Sequence, residues 1–442
     1  MRPQYHFTTN KGWLNDPNGL IYYQGNYHLF YQHFPYAPSW GTIHWGHAVS
    51  KDLVHFKHLP IALYPSKIYD QNGCFSGSSV IFKNQLYFYY TAIQYQELDE
   101  ENIHKQKYPD VLIASQARIK SQDGFTFDNF HDKQQVLLPI TDPKIGDFHH
   151  TRDPKVWVGK NGHLYMIIGS KVKQNQTYKG QVLFYESEDG LHFHYKNKFI
   201  DDDFGDMLEC PDLFEIEGQT FLSYCPEHVM TSPGPDSLAR IMPVSFDEQS
   251  CTLTKLGPSQ CLDYGRDYYA MQSFLDENKQ RTSLAWIRMR IPEKGDPFVG
   301  MFSYPRIFKL KGLQVYQKVH PNIESLFKQE VNQINWSIPF KMNYVLEENE
   351  EIQLAGLKLK IQQDSLFVDR TLVTIEHPKV AKTCVSGKLN HYYDLEIYYD
   401  HQIFEIFIHG GMQVVSQNVY SIQPQLTFYQ KQKACIKQAM AD

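Results

Sequence analysis

The 442-residue sequence has no run of 18 apolar residues, which excludes a membrane-spanning helix. It has no basic block either. Its 43 Lys+Arg stand against 49 Asp+Glu, a formal charge of −6, so the electrostatic footprint of a nucleic-acid binder is missing. Seven cysteines (74, 210, 225, 251, 261, 384 and 435) are widely scattered without a Cys-x-x-Cys pair, which argues against zinc and redox motifs. An odd number cannot all pair internally. No G-x-G-x-x-G, P-loop, G-x-S-x-G or H-E-x-x-H motif occurs, and no cofactor and no metal are expected. Residues 1–16 lack the apolar core of a signal peptide. With the scattered cysteines, this points to a reducing cytoplasm, where the sequons at Asn175 and Asn335 are chance matches.

Aromatic residues are plentiful: 30 Tyr, 28 Phe and 6 Trp, 14% of the chain. Such residues favour strands, and their arrangement is repetitive. Five segments (20–32, 79–92, 155–170, 213–225 and 273–287) each read as strand, tight polar turn, strand. Their turns centre near Gly25, Asn84, Asn161, Gly218 and Asn278, at intervals of 59, 77, 57 and 60 residues. A second repeat, S-x-D-[GL]-x-x-F, begins at Ser50, Ser121 and Ser187, in phase with the hairpins. Four-stranded units repeating about a ring limit exposed sheet edges. The expected fold is all-β: a five-bladed β-propeller over residues 1–310, a connector with a short helix at 311–334, and a β-sandwich over 335–442. The sandwich rests on apolar–polar alternation beyond Trp336. Its aromatic content offers a surface for a homodimer.

Counting back eight or nine residues from each turn reaches Asp16, Ser76, Asp153, Glu209 and Tyr269. Equivalent positions of a ring converge on its axis, so three carboxylates are expected to meet there. Arg152 is expected to hold Asp153 ionised, and the apolar flank Met207-Leu208 to raise the pKa of Glu209. Two carboxyl groups in opposed environments are the equipment of glycoside hydrolysis: one attacks the anomeric carbon and one protonates the leaving oxygen. In retaining enzymes they stand about 5–5.5 Å apart. Aromatic and polar neighbours suited to a sugar are Gln32, Trp40, Trp45 and Phe75. His44 and His47 read as packing or hydrogen-bonding residues, His149 and His150 as loop, and the run Asp201-Asp202-Asp203 as a solvated loop.

These residues resemble glycoside hydrolase family 32, the β-fructofuranosidases. Trp13-Leu14-Asn15-Asp16-Pro17-Asn18-Gly19 is similar to the family's W-[ML]-N-D-P-N-G box, Arg152-Asp153-Pro154 to its R-D-P box and Glu209-Cys210 to its E-C box. Further matches run through Phe30-Tyr31-Gln32, Trp45 to Ser50, Phe75 to Ser78 and Asp267 to Ala270. The resemblance implies a propeller followed by a sandwich, with Asp16 as nucleophile and Glu209 as general acid/base. Asp153 would stabilise the transition state beside Arg152, and Cys210 would tune Glu209. Trp13, Leu14, Asn15, Gln32, Trp40, Phe75, Ser76, Arg152 and Trp286 would serve the substrate.

The chain departs from the family's pattern at Trp286-Ile287-Arg288 and at Tyr90-Thr91-Ala92, both expected on the leaving-group side. The expected reaction is retaining cleavage of sucrose-6-phosphate or sucrose, with a small-molecule sugar as the partner and no membrane or nucleic acid. The alternatives are an intracellular exo-fructosidase acting on short fructo-oligosaccharides, a fructosyltransferase and a non-enzymatic sugar-binding propeller. Arg118, Lys171, Lys173, Arg288 and Arg290 are candidate phosphate partners.

Overall fold

Each of the five repeated segments contributes the two innermost strands of an antiparallel sheet. The inner strands are Gly12–Tyr23, Gly73–Phe82, Thr151–Val158, Met207–Ile216 and Tyr268–Leu275. Two further strands extend each sheet outward, as His44–Ser50 and Phe56–Leu63 do in the first. In this computed structural model, residues 1–109, 111–231, 234–389 and 392–440 are described. The final two positions of the expected sandwich, 441 and 442, lie outside the described residues. The inner strands touch in cyclic order, and the first also touches the fifth. Five sheets therefore close into a ring, the propeller expected from the period. Gly12 and Trp13 add a parallel pairing with Phe298 and Val299 at the closure.

The second repeat is the turn between the third and fourth strands of a blade. In each copy the Asp carboxylate accepts two backbone N–H groups while the Ser hydroxyl caps the bend. The residue after the Asp takes a left-handed conformation: φ is +64° at Leu53, +77° at Gly124 and +74° at Gly190. Glycine meets that demand without steric cost in two blades. Leu53 accepts it because its side chain is buried in the core.

Beyond the ring, a six-stranded and a four-stranded sheet face each other. Met342, Leu346, Leu395 and Ile406 of the first interleave with Ile352, Leu359, Leu366 and Val368 of the second. The expected connector 311–334 is not one. Gln314–Val319 is the outer strand of the fifth blade, and Phe327–Val331 is an edge strand of the six-stranded sheet. Only a four-residue helix, Pro321–Glu324, lies between them. The alternating pattern of 314–319 is that of any half-buried strand, and the change in composition after Pro305 hid its place in the blade.

Buried charge joins the two bodies. Arg306, with no exposed surface, donates to Glu405 Oε2 from Nε (3.1 Å) and Nη2 (2.6 Å), and to Asp263 Oδ2 (3.0 Å). His6 bridges Asp400 (2.9 Å) and Glu405 (3.0 Å). Burying such ions is costly unless every lone pair and proton is matched, and here the matching comes from both bodies at once.

Candidate active site

A β-bulge interrupts every inner strand near the axis. Two residues oppose one between Leu14 and Pro17, Cys74 and Gly77, Arg152 and Lys155, Glu209 and Asp212, and Tyr269 and Gln272. Bulges bend a strand and re-aim its side chains. Asp153, Cys210 and Ala270 are the first residues inside their bulges, with φ of +67°, +49° and +52°. Non-glycine residues in this region store strain, and such strain clusters at functional sites. The bulges also correct the equal-phase count. Arg152, Glu209 and Tyr269 are equivalent, whereas Asp153 stands one residue further along its strand. Asp16 and Ser76 are each the second residue of a bulge. The carboxylates meet because the bulges swing neighbouring positions inward.

Asp16 is held from three sides. Its Oδ2 accepts from Ser76 Oγ (2.5 Å) and Gln32 Nε2 (3.3 Å), and its Oδ1 from Asn15 Nδ2 (3.1 Å). Burial and then the charge of Asp153 push its pKa up to about 7, against the hydrogen bond from Ser76. Asp153 Oδ2 accepts the Cys210 backbone N–H (2.9 Å), and its own N–H donates to Thr91 Oγ1 (2.9 Å). Burial raises Asp153 to about 6, with Arg152 opposing and Glu209 adding to the rise.

Glu209 behaves differently. Its Oε1 accepts from Arg152 Nε (3.0 Å) and Nη2 (2.8 Å), and its Oε2 from the Tyr269 hydroxyl (2.6 Å). Burial raises its pKa, but the Arg152 charge and the Tyr269 hydrogen bond outweigh this and hold it below the ordinary value. Both electrostatic expectations are thus reversed. The guanidinium of Arg152 donates to Glu209 of the next blade, and its charge opposes but does not outweigh the burial that raises its chain neighbour Asp153. The apolar residues beside Glu209 do not set its environment: Leu208 is fully buried among core residues.

Cys210 also differs from expectation. Its thiol lies 3.7 Å from Asp16 Oδ2 and 3.6 Å from Asp153 Oδ2, so it serves the two aspartates rather than Glu209. Burial and the adjacent carboxylates push its pKa well above the ordinary thiol value, so it stays protonated. Asp16, Asp153 and Cys210 place one ligand atom each within 4.8 Å of the others, the spacing a metal would need. A protonated thiol donating to two carboxylates is a poor ligand set.

Asp16, Arg152, Asp153, Glu209 and Tyr269 line a cavity of about 400 Å³, with Trp13, Asn15, Gln32, Trp40, Phe75 and Trp286 on its walls. Trp13 meets Trp286 edge-on at 5.8 Å, and Trp40 meets Phe75 at 6.0 Å. Three residues expected to face the sugar are not on the wall. Leu14 is fully buried in the apolar core, since its side chain falls on the strand face opposite Asn15. Ser76 acts from beneath Asp16. Trp45 is likewise buried, donating to the Phe75 carbonyl (3.0 Å).

The family models described as glycosyl hydrolases family 32 N-terminal domain and C terminal match residues 6–319 and 340–439. The chain belongs to glycosyl hydrolase family 32. Among curated relatives, the sucrose-6-phosphate hydrolase of Zymomonas mobilis is 31% identical over 465 residues, covering 96% of this chain and 86% of that one. The levanase of Bacillus subtilis is 35% identical over 352 residues, covering 74% and 48% respectively. The solved structure of sucrose-6-phosphate hydrolase from Lactobacillus gasseri shares the fold, with a TM-score of 0.83 at 23% identity, covering 100% of this chain and 93% of that one.

Within this family 32 cavity, several wall residues escaped the sequence reading. His150, expected as loop, lines the wall and bonds Arg152 (3.1 Å). Gln106 and Leu112 enter from the second blade. Tyr269 was legible as a repeat position. Thr91, from the departure Tyr90-Thr91-Ala92, lies beneath Asp153 and not on the leaving-group side. Of the candidate phosphate residues, Arg290 alone reaches the cavity wall. Arg118 bonds Gln134 far from it, and Lys171 lies over the Tyr178 ring. His47 stacks on Phe30 at 4.1 Å, as packing requires. In the run 201–203, Asp202 stands exposed as expected, while Asp201 and Asp203 bond Lys255.

Proposed function

We propose that the chain is a retaining β-fructofuranosidase that cleaves sucrose-6-phosphate or sucrose in the cytoplasm. Asp16 is the nucleophile: its carboxylate is gripped by Ser76, Gln32 and Asn15, which fix the attacking oxygen. Glu209, across the cavity, protonates the leaving oxygen and then deprotonates the attacking water. Asp153 stabilises the positive charge that develops on the fructosyl ring. The observation that carries this reading is the meeting of three carboxylates, Asp153 buried and Asp16 and Glu209 half-buried, two of them raised, in one aromatic-walled cavity.

The reaction needs its proton on Glu209, yet the unliganded site favours it on Asp16. Interacting carboxyls titrate as a set rather than singly. Sugar hydroxyls donating to Asp16 and Asp153 stabilise their charged forms, which transfers the shared proton toward Glu209. Attack by Asp16 forms a covalent fructosyl ester as the glycosidic oxygen leaves with that proton. Water, deprotonated by Glu209, then releases fructose with retained configuration.

The likeness to a levanase favours a second reading, in which short fructo-oligosaccharides are trimmed from one end. Comparing kcat/KM for sucrose-6-phosphate, sucrose and 1-kestose on one preparation separates the two. The proposal expects the sucrose compounds to exceed 1-kestose, and the reverse order would move the assignment to the oligosaccharide. No turnover of any of the three would leave only a sugar-binding propeller.

A further inference from the structure

Arg290 is anomalous among the basic residues. It lines the catalytic cavity, yet among the described residues its side chain has no hydrogen bond or ion pair. The charge that acts on it most strongly is that of another cation, Arg288, two residues back on the same loop. Arg288 lies over the Tyr269 ring at 4.5 Å, against the residue that donates to Glu209. Its Nη2 bonds the Arg266 carbonyl (2.9 Å), while its buried Nε has no partner. Burial and then the charge of Arg288 lower the pKa of Arg290, and Asp267 opposes this without outweighing it.

The carboxylates that could supply that charge are committed elsewhere. Asp267 Oδ1 accepts from Arg370 Nη2 (3.1 Å) and its Oδ2 from the Asn418 N–H (2.9 Å). Glu293 and Asp296, on the same loop, are turned away to Gln402 (2.5 and 2.7 Å). The loop thus sends its acids toward the sandwich and its unpaired arginine to the cavity. Two like charges drawn together are destabilising when the carboxylates near them, Asp267 and Glu209, are bonded to other partners, and a bound anion offsets the cost.

Position then decides what kind of anion. The general acid must touch the leaving-group oxygen, so the glucosyl half of the substrate extends over the Glu209 and Tyr269 side, where Arg288 packs on the Tyr269 ring behind the wall and Arg290 enters the same cavity. We infer that Arg290, backed by Arg288, is a phosphate-monoester subsite that recognises the 6-phosphate of the leaving sugar. This rests on the fructosidase reading above and adds the group that selects the phosphorylated substrate. A planar guanidinium suits the dianion because it can donate two parallel N–H groups.

The test uses the whole enzyme. For the wild type, kcat/KM for sucrose-6-phosphate is expected to exceed that for sucrose, and R290Q is expected to lower this ratio about 10- to 100-fold, the range of a lost charge-assisted hydrogen bond. R290K should recover part of it. Glucose 6-phosphate should inhibit the wild type more strongly than glucose or inorganic phosphate, a comparison that needs no variant. An unchanged ratio in R290Q, or glucose 6-phosphate no better than glucose, would overturn the subsite while leaving sucrose hydrolysis intact. Inorganic phosphate inhibiting as strongly as glucose 6-phosphate would make this a free-anion site and equally overturn it. Absence of turnover on every fructoside would instead refute the underlying reading.

Discussion

At the residue scale, one cation of the site is shared by two acids. Arg152 donates to Glu209 and lies 3.5 Å from Glu227, whose pKa the charge of Glu209, and then burial, raises to about 7. As pH rises past about 7, the last carboxyl proton leaves this cluster and Glu209 has none to give. kcat/KM should therefore fall on the alkaline side with a midpoint near 7, and activity flat to pH 9 would refute the proton assignment. In E227Q the neighbouring negative charge is gone, so the pKa of Glu209 drops. The alkaline limb should move down by roughly half a unit to one unit, and an upward move would contradict the coupling. E209Q should nearly abolish sucrose cleavage but retain part of the rate of the first p-nitrophenol release from p-nitrophenyl β-D-fructofuranoside, whose leaving group needs no acid. Equal losses on both substrates would exclude Glu209 as the acid.

At the element scale, the blade turn and the bulge divide the labour of stability and function. G190A forces an L side chain into φ +74°, with its Cβ 2.8 Å from the Tyr89 hydroxyl oxygen. We expect a loss of about 1–2 kcal/mol in urea unfolding with kcat unchanged, because the turn lies on the outer side of its blade. Unaltered stability would contradict the turn's role. The hairpins and the three-copy turn were legible because alternation and turn chemistry are local. The bulges were not: two residues against one leaves no composition signal, so counting to a turn misjudged Asp153 by one place and Asp16 and Ser76 by two. Equally, Arg152-Asp153 reads as an ion pair in a linear string, yet consecutive residues at a bulge diverge and the arginine finds the next blade. Asp16, Asp153 and Glu209 stood out in the sequence through their motifs. Their charge states depend on partners 57 to 60 residues away in the chain, Arg152 for Glu209, Ser76 for Asp16 and Tyr269 for Glu209, and those had to be seen.

At the scale of the whole molecule, propeller and sandwich are joined by buried ions as well as by apolar contact. Removing one member of such a set leaves its partners buried and unpaired, at a cost of about 3–5 kcal/mol. R306L should lower Tm markedly in calorimetry, and R306L/E405L should recover part of the loss. Little change in R306L would show that the network carries no weight. The cavity itself belongs to the ring alone and calls on all five blades, which is why the central claim concerns how those blades bring Asp16 and Glu209 to one sugar. That claim is tested most directly by trapping. E209Q supplied with p-nitrophenyl β-D-fructofuranoside should form the ester but lack the base that hydrolyses it. Peptide mass mapping is expected to find one fructosyl group on Asp16. Fructose released without any adduct, or an adduct on another residue, would contradict the account.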